Sequence, residues 1–242
     1  MINFPVAISI SHNTSWRDFW EAVKIVFWPF VWKKGEGIAK VENWFKNFFQ
    51  VGQVYSFNSG RSSLMWILQA FNIKENDEVL IQPYTCIAAI APVIWAKAKV
   101  VFVDIDETLN INPDLIEGKI SKKTKAVIVQ HTFWIPAKIK EIKKICQKHK
   151  LILIEDCALS LGASVTGKKV GTFGDAAYFS FGRDKVISSV FGGLAFITPS
   201  RKKENKRMGE FYQKLEYPKN KWILQQLLHP IQIGRASCRE RV

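Results

Sequence analysis

The feature that most constrains this chain is a succession of short apolar segments, separated by helical patterns, between residues 78 and 198. Six of them predict buried strands: EVLI (78–81), KVVFV (99–103), KAVIV (125–129), LILI (151–154), AAYFSF (176–181) and LAFIT (194–198). A helix over 137–148, and another that starts at Asn112 with Pro113 in its first turn, lie between them. Apolar strands joined by helices predict an α/β three-layer sandwich with a mostly parallel sheet.

Composition and charge narrow the class of protein. The chain has 242 residues, of which 48% are hydrophobic, enough for one large domain with its own core. The four cysteines show no metal-ligand spacing and no signal peptide is visible, so we expect reduced thiols, no metal and a cytoplasmic protein. The net charge of +14 favours anionic partners, but no nucleic-acid-binding module accompanies it, so nucleic acid is not expected.

The chain divides into four predicted parts. Residues 1–50 form an aromatic-rich helical segment, 51–200 a large domain and 201–232 the start of a C-terminal region. The last ten residues, 233–242, can be back-translated into a string that resembles a sequencing adapter, so we expect them, with Cys238, to be an artefact. The aromatic run over 14–33 is too short and interrupted to span a bilayer. It is expected to pack against its own domain or a partner subunit; peripheral contact with a membrane surface is the alternative.

Polar side chains cluster where the predicted strands end. Ligands of parallel sheets bind beyond the carboxyl ends of the strands, and the first N–H groups of a helix attract phosphate. The groups concerned are Glu155 and Asp156 after LILI, Gln130 and His131 after KAVIV, Ser180 and Lys185 around the end of AAYFSF, and the turn over 59–63. A carboxylate, an amine and an anion site at one edge are what pyridoxal 5′-phosphate (PLP) requires.

The segment over 58–198 resembles the DegT/DnrJ/StrS sugar aminotransferases, a family of fold type I PLP enzymes. The matching pieces are SGRSSL (59–64), NDEVLIQPYT (76–85), VVFVDIDETLNINPD (100–114), TKAVIVQHTF (124–133), LILIEDCALSLGA (151–163), GKKVGTFGDAAYFSFGRDK (167–185) and GG (192–193). The resemblance implies that Lys185 is the Schiff-base lysine and moves the proton as general base and acid. It also implies that Asp156 pairs with the pyridinium nitrogen. The phosphate would lie among Gly60, Arg61, Ser62 and Ser180.

Four positions depart from the family pattern. Cys86 stands where an aromatic residue commonly stacks on the cofactor ring, and Leu159 where Gln or His commonly meets the ring hydroxyl. Each of these two changes should weaken cofactor binding by about 1 kcal/mol. Trp134 replaces a small residue, commonly Gly, and Phe191 replaces a Glu.

The resemblance implies a transaminase that moves an amino group from an amino acid, commonly glutamate, to a keto sugar on a nucleotide. It also implies a homodimer when the chain is full length, and a small C-terminal domain that is largely missing here. A PLP-dependent sugar dehydratase is a weaker alternative, because that branch has His in place of the lysine. The third interpretation is a non-catalytic relative that acts as a binding or membrane-associated protein.

Overall fold

The computed structural model describes residues 16–33, 36–182, 185–187, 189 and 191–228, and these residues form a seven-stranded sheet covered by helices. The sheet strands are β1 (Tyr55–Phe57), β2 (Glu78–Ile81), β3 (Lys99–Phe102), β4 (Thr124–Gln130), β5 (Ile152–Asp156), β8 (Ala176–Ser180) and β9 (Gly193–Ile197). A separate hairpin pairs β6 (Ser164–Val165) with β7 (Lys168–Lys169). The helices are α1 (Trp16–Val26), α2 (Gly37–Phe49), α3 (Gly60–Ala70), α4 (Ile87–Trp95), α5 (Pro113–Ile116), α6 (Ile139–His149) and α7 (Lys202–Gln213).

The strand order across the sheet is β1-β9-β8-β5-β4-β2-β3. Strands β3, β2, β4, β5 and β8 are parallel to one another, whereas β9 runs antiparallel to both β8 and β1. The predicted α/β class with a mostly parallel sheet is therefore confirmed, and all six predicted strands are present.

Both faces of the sheet are covered, as the continuous apolar strands predict. In β2, Val79 and Ile81 contribute to a cluster with α3, α4 and α7, whereas Leu80 contributes to a cluster with α5 and α6 on the other face. These three residues show relative exposures of at most 1%. The two faces of β2 thus pack against different helix layers, as in a three-layer sandwich.

Local sequence signals explain how the helices begin and end. Asn112 caps α5, as predicted, because its side-chain oxygen accepts a hydrogen bond from the Asp114 amide at 3.0 Å. The helix is only one turn long, since a 3-10 turn over Glu117–Lys119 follows it at once. The helix predicted over 137–148 is α6, which starts two residues later, at Ile139.

The N-terminal aromatic residues have two fates. In α2, Phe45 and Phe49 are buried against Phe179 of the sheet, with ring centroids 5.5 and 4.9 Å away. Before α2, Phe27 and Phe30 stay exposed, and Phe30 has a relative exposure of 85%. Within the part of the chain that the structure describes, no helix has the length and apolarity needed to cross a membrane. The predicted artefact at 233–242, with Cys238, lies outside the described residues.

Candidate active site

A cavity of about 1170 Å³ lies at the carboxyl ends of β2, β4, β5 and β8, where a parallel sheet binds its ligands. Its lining combines a carboxylate, an amine, hydroxyls and aromatic groups. The residues that line it are Gly60, Arg61, Pro83, Tyr84, Thr85, Cys86, Ala88, Ala89, Gln130, Thr132, Phe133, Trp134, Asp156, Ala158, Leu159, Tyr178, Ser180, Lys185 and Val186.

Seven of the eight predicted site residues line this cavity. They are Gly60, Arg61, Cys86, Asp156, Leu159, Ser180 and Lys185. The eighth, Ser62, is not among the lining residues, because its hydroxyl turns to Asn58 and donates a hydrogen bond to the Asn58 side-chain oxygen at 2.6 Å. The Ser62 hydroxyl that the resemblance assigns to phosphate therefore makes a hydrogen bond within the turn.

The N-terminus of α3 is held against the end of β8 by two close backbone approaches. Ser59 caps the helix, since its Oγ accepts the Ser62 amide at 3.2 Å. A Cβ at Gly60 would lie 2.9 Å from the Ser180 Cβ, and a Cβ at Gly193 would lie 2.3 Å from the Ser59 carbonyl carbon. Both positions therefore require glycine. The packing brings the first helical N–H groups and the Ser180 hydroxyl to one corner of the cavity, which suits an anion.

Asp156 is a buried carboxylate at the end of β5. One of its oxygens accepts the Ala158 amide at 2.9 Å. Burial raises the pKa of Asp156, although the Tyr178 hydroxyl, the Ala158 amide and the charge of Lys185 each act to lower it. A cationic N–H beside this carboxylate would offset the desolvation.

The Tyr178 hydroxyl lies beside Asp156 without a hydrogen-bond partner of good geometry in the described part of the chain. It is fully buried, and burial, with Asp156 as a second cause, holds its pKa well above the ordinary range. The hydroxyl and the Asp156 carboxylate therefore form one buried polar corner of the cavity, to which a bound group can add a hydrogen bond.

Lys185 lies between the ends of β8 and β9 and is half-buried. Its amide donates a hydrogen bond to the Gly182 carbonyl at 3.1 Å, which fixes the backbone beside the cavity. Its charge is one of the smaller causes that lower the pKa of Asp156, and both side chains line the same cavity.

The neighbouring carboxylate, Glu155, is closed off from the cavity. His131 holds it at 3.1 Å through Nε2, and the Ala137 amide donates to the other ring nitrogen of His131 at 3.1 Å, which leaves Nε2 as the donor. Glu155 also accepts the backbone amides of Gly171, Phe173 and Gly174, at 2.7, 2.7 and 2.6 Å. Its oxygens are thus saturated by hydrogen bonds that tie β4, β5 and the 171–174 turn together.

Cys157 completes a cluster with His131 and Glu155 whose potential ligand atoms lie within 4.8 Å of one another. Both ring nitrogens of His131 and both oxygens of Glu155 already make hydrogen bonds. Burial raises the pKa of the Cys157 thiol well above its ordinary value, which opposes the thiolate that metals bind. We therefore assign the cluster to the structure of the strand ends.

A short turn over Thr132–Trp134 forms another side of the cavity. Phe133 has φ 47° and ψ 45°, and Trp134 has φ 70°, so two large residues stand in the left-handed region. Glycine adopts this region without strain, which explains why a small residue is common at the Trp134 position in the family pattern. Their side chains have relative exposures of 57% and 56%.

A known protein family matches most of the chain. The profile described as the DegT/DnrJ/EryC1/StrS aminotransferase family matches residues 17–214. The chain belongs to this family. The predicted resemblance is thereby confirmed.

Individual members of the family are similar over about two thirds of the chain. GDP-perosamine synthase of Vibrio cholerae is 36% identical over 162 residues, 66% of this chain and 44% of that protein. The L-glutamine:2-deoxy-scyllo-inosose aminotransferase of Streptomyces kanamyceticus is 38% identical over 152 residues, 62% of this chain and 36% of that protein. The UDP-N-acetyl-3-dehydro-alpha-D-glucosamine 3-aminotransferase of Acidithiobacillus ferrooxidans is also 38% identical over 152 residues, 62% of this chain and 41% of that protein. This member spans less than half the length of these curated relatives.

Solved structures share the fold. The aminotransferase from Psychrobacter cryohalolentis superposes with a TM-score of 0.76 at 26% identity, over 93% of this chain and 63% of that chain. NtdA from Bacillus subtilis, solved with bound pyridoxamine phosphate (PMP), gives a TM-score of 0.77 at 21% identity, over 95% and 55%. The predicted PLP cofactor is consistent with the PMP bound in NtdA, because PLP and PMP are two forms of one cofactor.

The residues that line the cavity fit PLP by their own chemistry. The buried carboxylate with a raised pKa calls for a cationic ring nitrogen, and the glycine-cradled helix end with Ser180 calls for a phosphate. The orphaned Tyr178 hydroxyl and the amine of Lys185 border the same space. The carboxylate, the helix end and the amine thus match the ring nitrogen, the phosphate and the aldehyde of PLP.

The departures from the family pattern are placed as follows. Cys86 and Leu159 line the cavity, and the Cys86 side chain caps α4 by accepting the Ala88 amide at 3.5 Å. Phe191 does not line the cavity; its ring packs on Trp222, with centroids 5.5 Å apart. The cavity thus presents a thiol and an aliphatic side chain where the family pattern has an aromatic ring and a Gln or His.

Sequence reasoning missed several lining residues, mainly Tyr84, Thr85 and Tyr178. Tyr84 and Thr85 follow the end of β2, so the strand-end rule that selected Asp156 also applies to them. Tyr178 stands two residues before Ser180 in β8, and alternate residues of a strand share a face. That alternation was the signal that could have found it.

Proposed function

We propose that this chain is the PLP-binding part of an aminotransferase that moves an amino group from an amino acid to a keto group of a nucleotide-linked sugar. The observation that carries the proposal is the buried Asp156 carboxylate in one cavity with Lys185 and the cradled N-terminus of α3. Each is common alone, but this combination suits one cofactor.

The roles of the residues follow from their chemistry. Bound PLP supplies an aldehyde that carries the amino group and a ring that accepts the electrons of the broken substrate bond. Asp156, as a carboxylate, would keep the ring nitrogen protonated, and that cation would in turn lower the pKa that burial raises. Ser180, with the amides of Gly60 and Arg61, would hold the phosphate.

Lys185 would act twice at the reacting centre. Its amine would hold the cofactor covalently until the amino donor displaces it. The freed amine would then carry the proton between the substrate carbon and the cofactor, as general base and acid. Its position in the lining of the cavity, together with Asp156 and Ser180, supports both roles.

The substrates are inferred from relatives. The names of two similar proteins specify a GDP-linked and a UDP-linked sugar, and a third specifies L-glutamine and a free cyclitol ketone. A cavity of about 1170 Å³ leaves room for a sugar beside the cofactor. We propose glutamate as the donor, a nucleotide-linked keto sugar as the acceptor, and a cytoplasmic homodimer as the working form.

The proposal is tested by adding PLP to the chain and recording the visible absorbance of the lysine-bound cofactor. The parent chain and the control variant Lys144→Ala, which removes an exposed lysine of α6, should give the band. Lys185→Ala should not. A band that survives Lys185→Ala unchanged, or that the parent never shows, contradicts the proposal.

A second candidate is a relative that binds PLP without catalysis. It is favoured by Cys86 and Leu159, which bring no ring stacking and no ring hydrogen bond to the cavity. Incubating the PLP-loaded chain with glutamate separates the two candidates. A transaminase releases 2-oxoglutarate and leaves PMP, whereas a bare binder keeps the PLP absorbance.

A further inference from the structure

Three aromatic side chains form one wall of the cavity, and the roles proposed for Asp156 and Lys185 do not involve them. We call Tyr84, Phe133 and Trp134 the aromatic wall. All three line the same cavity as Lys185, and the rings of Tyr84 and Phe133 meet edge to face with centroids 6.4 Å apart. More than half of the Phe133 and Trp134 surface is exposed, so the wall offers apolar area to a ligand.

The wall is built at the expense of backbone strain. Phe133 and Trp134 both have positive φ, and that left-handed conformation is unfavourable for residues with a Cβ. Consecutive large residues in this region are unusual, and such strain clusters where ligands bind. A core or solvent role would not require these two side chains to be displayed in this way.

Buried hydrogen bonds hold the strained turn in place. The buried Asn110 side chain accepts the Thr132 amide at 2.8 Å and donates to the Ile135 carbonyl at 3.0 Å, so one amide group clamps both ends of the turn. The Thr132 hydroxyl donates to the Leu109 carbonyl at 3.0 Å and accepts from Gln130 at 2.8 Å. The turn is therefore over-determined by its surroundings, which is the condition under which strain persists.

We propose that Trp134 binds the amino acceptor by packing against the apolar face of its six-membered ring. The inference rests on the proposed function and deepens it. The acceptor must bring its keto carbon to Lys185, which lines the same cavity, and a six-membered polyol presents C–H groups on the faces of its ring. Nucleotide-linked pyranoses and free cyclitols share this face, so the wall recognises the ring whichever carries it.

The test compares the parent chain with Trp134→Gly and Trp134→Phe. Trp95→Ala is the matched control, because Trp95 has a similar exposure of 54% and does not line the cavity. The probes are UDP-N-acetyl-3-dehydro-alpha-D-glucosamine and 2-deoxy-scyllo-inosose, and their binding to the PMP-loaded chain is followed by calorimetry together with turnover. Trp134→Gly should weaken both probes about three- to tenfold, and Trp134→Phe less. The PLP dissociation constant should change less than the dissociation constants of the two probes, and Trp95→Ala should match the parent in every measurement.

Several results would overturn the inference. One is unchanged probe affinity in Trp134→Gly, or no binding of either probe to the parent. Another is an equal loss of PLP affinity, which would place the cofactor on the wall. A third is an equal loss for free UDP, which would place the nucleotide there. Failure of the proposed function is distinguishable, because it removes the glutamate half-reaction of the parent itself.

Discussion

Glu155 and Asp156 are neighbours at the end of β5, yet they belong to two different regions. On the closed side, Glu155 accepts three backbone amides and the His131 ring, and every hydrogen bond it makes is internal. On the open side, Asp156 accepts one amide and faces the cavity with a raised pKa. The Glu155 carboxylate thus stabilises the strand ends, whereas the Asp156 carboxylate faces the cavity and is available to a ligand.

The largest effect is expected from breaking the closed side. Glu155→Ala leaves three amides and the His131 N–H without a partner in a fully buried place, and we expect the free energy of unfolding to fall by about 3–5 kcal/mol. Urea unfolding followed by tryptophan fluorescence measures it. Glu155→Gln keeps an acceptor and should lose less. Equal stability of Glu155→Ala and the parent would refute the closed network.

On the open side, we expect removal of the carboxylate in Asp156→Asn to raise the free energy of unfolding rather than lower it. The pKa of Asp156 is raised above its ordinary value of 3.8, so in the cofactor-free chain its ionisation opposes folding. Below pH 3.8 the parent and Asp156→Asn should have similar stability, because the carboxyl is protonated in both the folded and the unfolded parent. As pH rises from there to the raised pKa, the parent should become progressively less stable than the variant, by at most about 1.4 kcal/mol for each pH unit.

Unfolding of both proteins across this pH range measures the difference. Asp104→Asn, a change at an exposed aspartate, is the control and should run parallel to the parent. A parent that gains stability over Asp156→Asn as pH rises would show that Asp156 is already paired, like Glu155.

A smaller change in stability is expected in the Thr132–Trp134 turn, on another side of the cavity. Trp134→Gly relieves a left-handed backbone and should raise the free energy of unfolding by about 0.5–1 kcal/mol. Trp95→Gly, at the end of α4 and equally exposed, should lower it by about 1 kcal/mol. Thermal melting of the two variants measures the signs; a loss in Trp134→Gly would mean that packing outweighs strain.

The sequence allowed the parallel strands to be predicted, because a buried strand needs only a short apolar run between turn signals. Asp156, Ser180 and Lys185 could be placed at one edge for the same reason, with the resemblance supplying their roles. Ser62 shows the limit. A Ser in the first turn of a helix has the same sequence pattern whether its hydroxyl faces a ligand or, as here, Asn58 four residues earlier.

The aromatic wall shows a second limit. The sequence marks Trp134 as an unexpected large residue, but its direction depends on a positive φ that distant amides impose, chiefly Asn110. Contacts between residues 22 or more positions apart in sequence are not encoded in local periodicity. The same applies to Tyr178, because its place beside Asp156 depends on the pairing of β8 with β5.

The central claim is that the open side of β5 holds PLP with Lys185 as its covalent anchor. The most direct measurement is to load the chain with PLP, reduce it with borohydride, digest it and locate the modified lysine by mass spectrometry. We expect one dominant modified peptide, which contains Lys185, and its loss in the presence of excess glutamate. Modification spread over exposed lysines such as Lys144, or a dominant site other than Lys185, would contradict the claim.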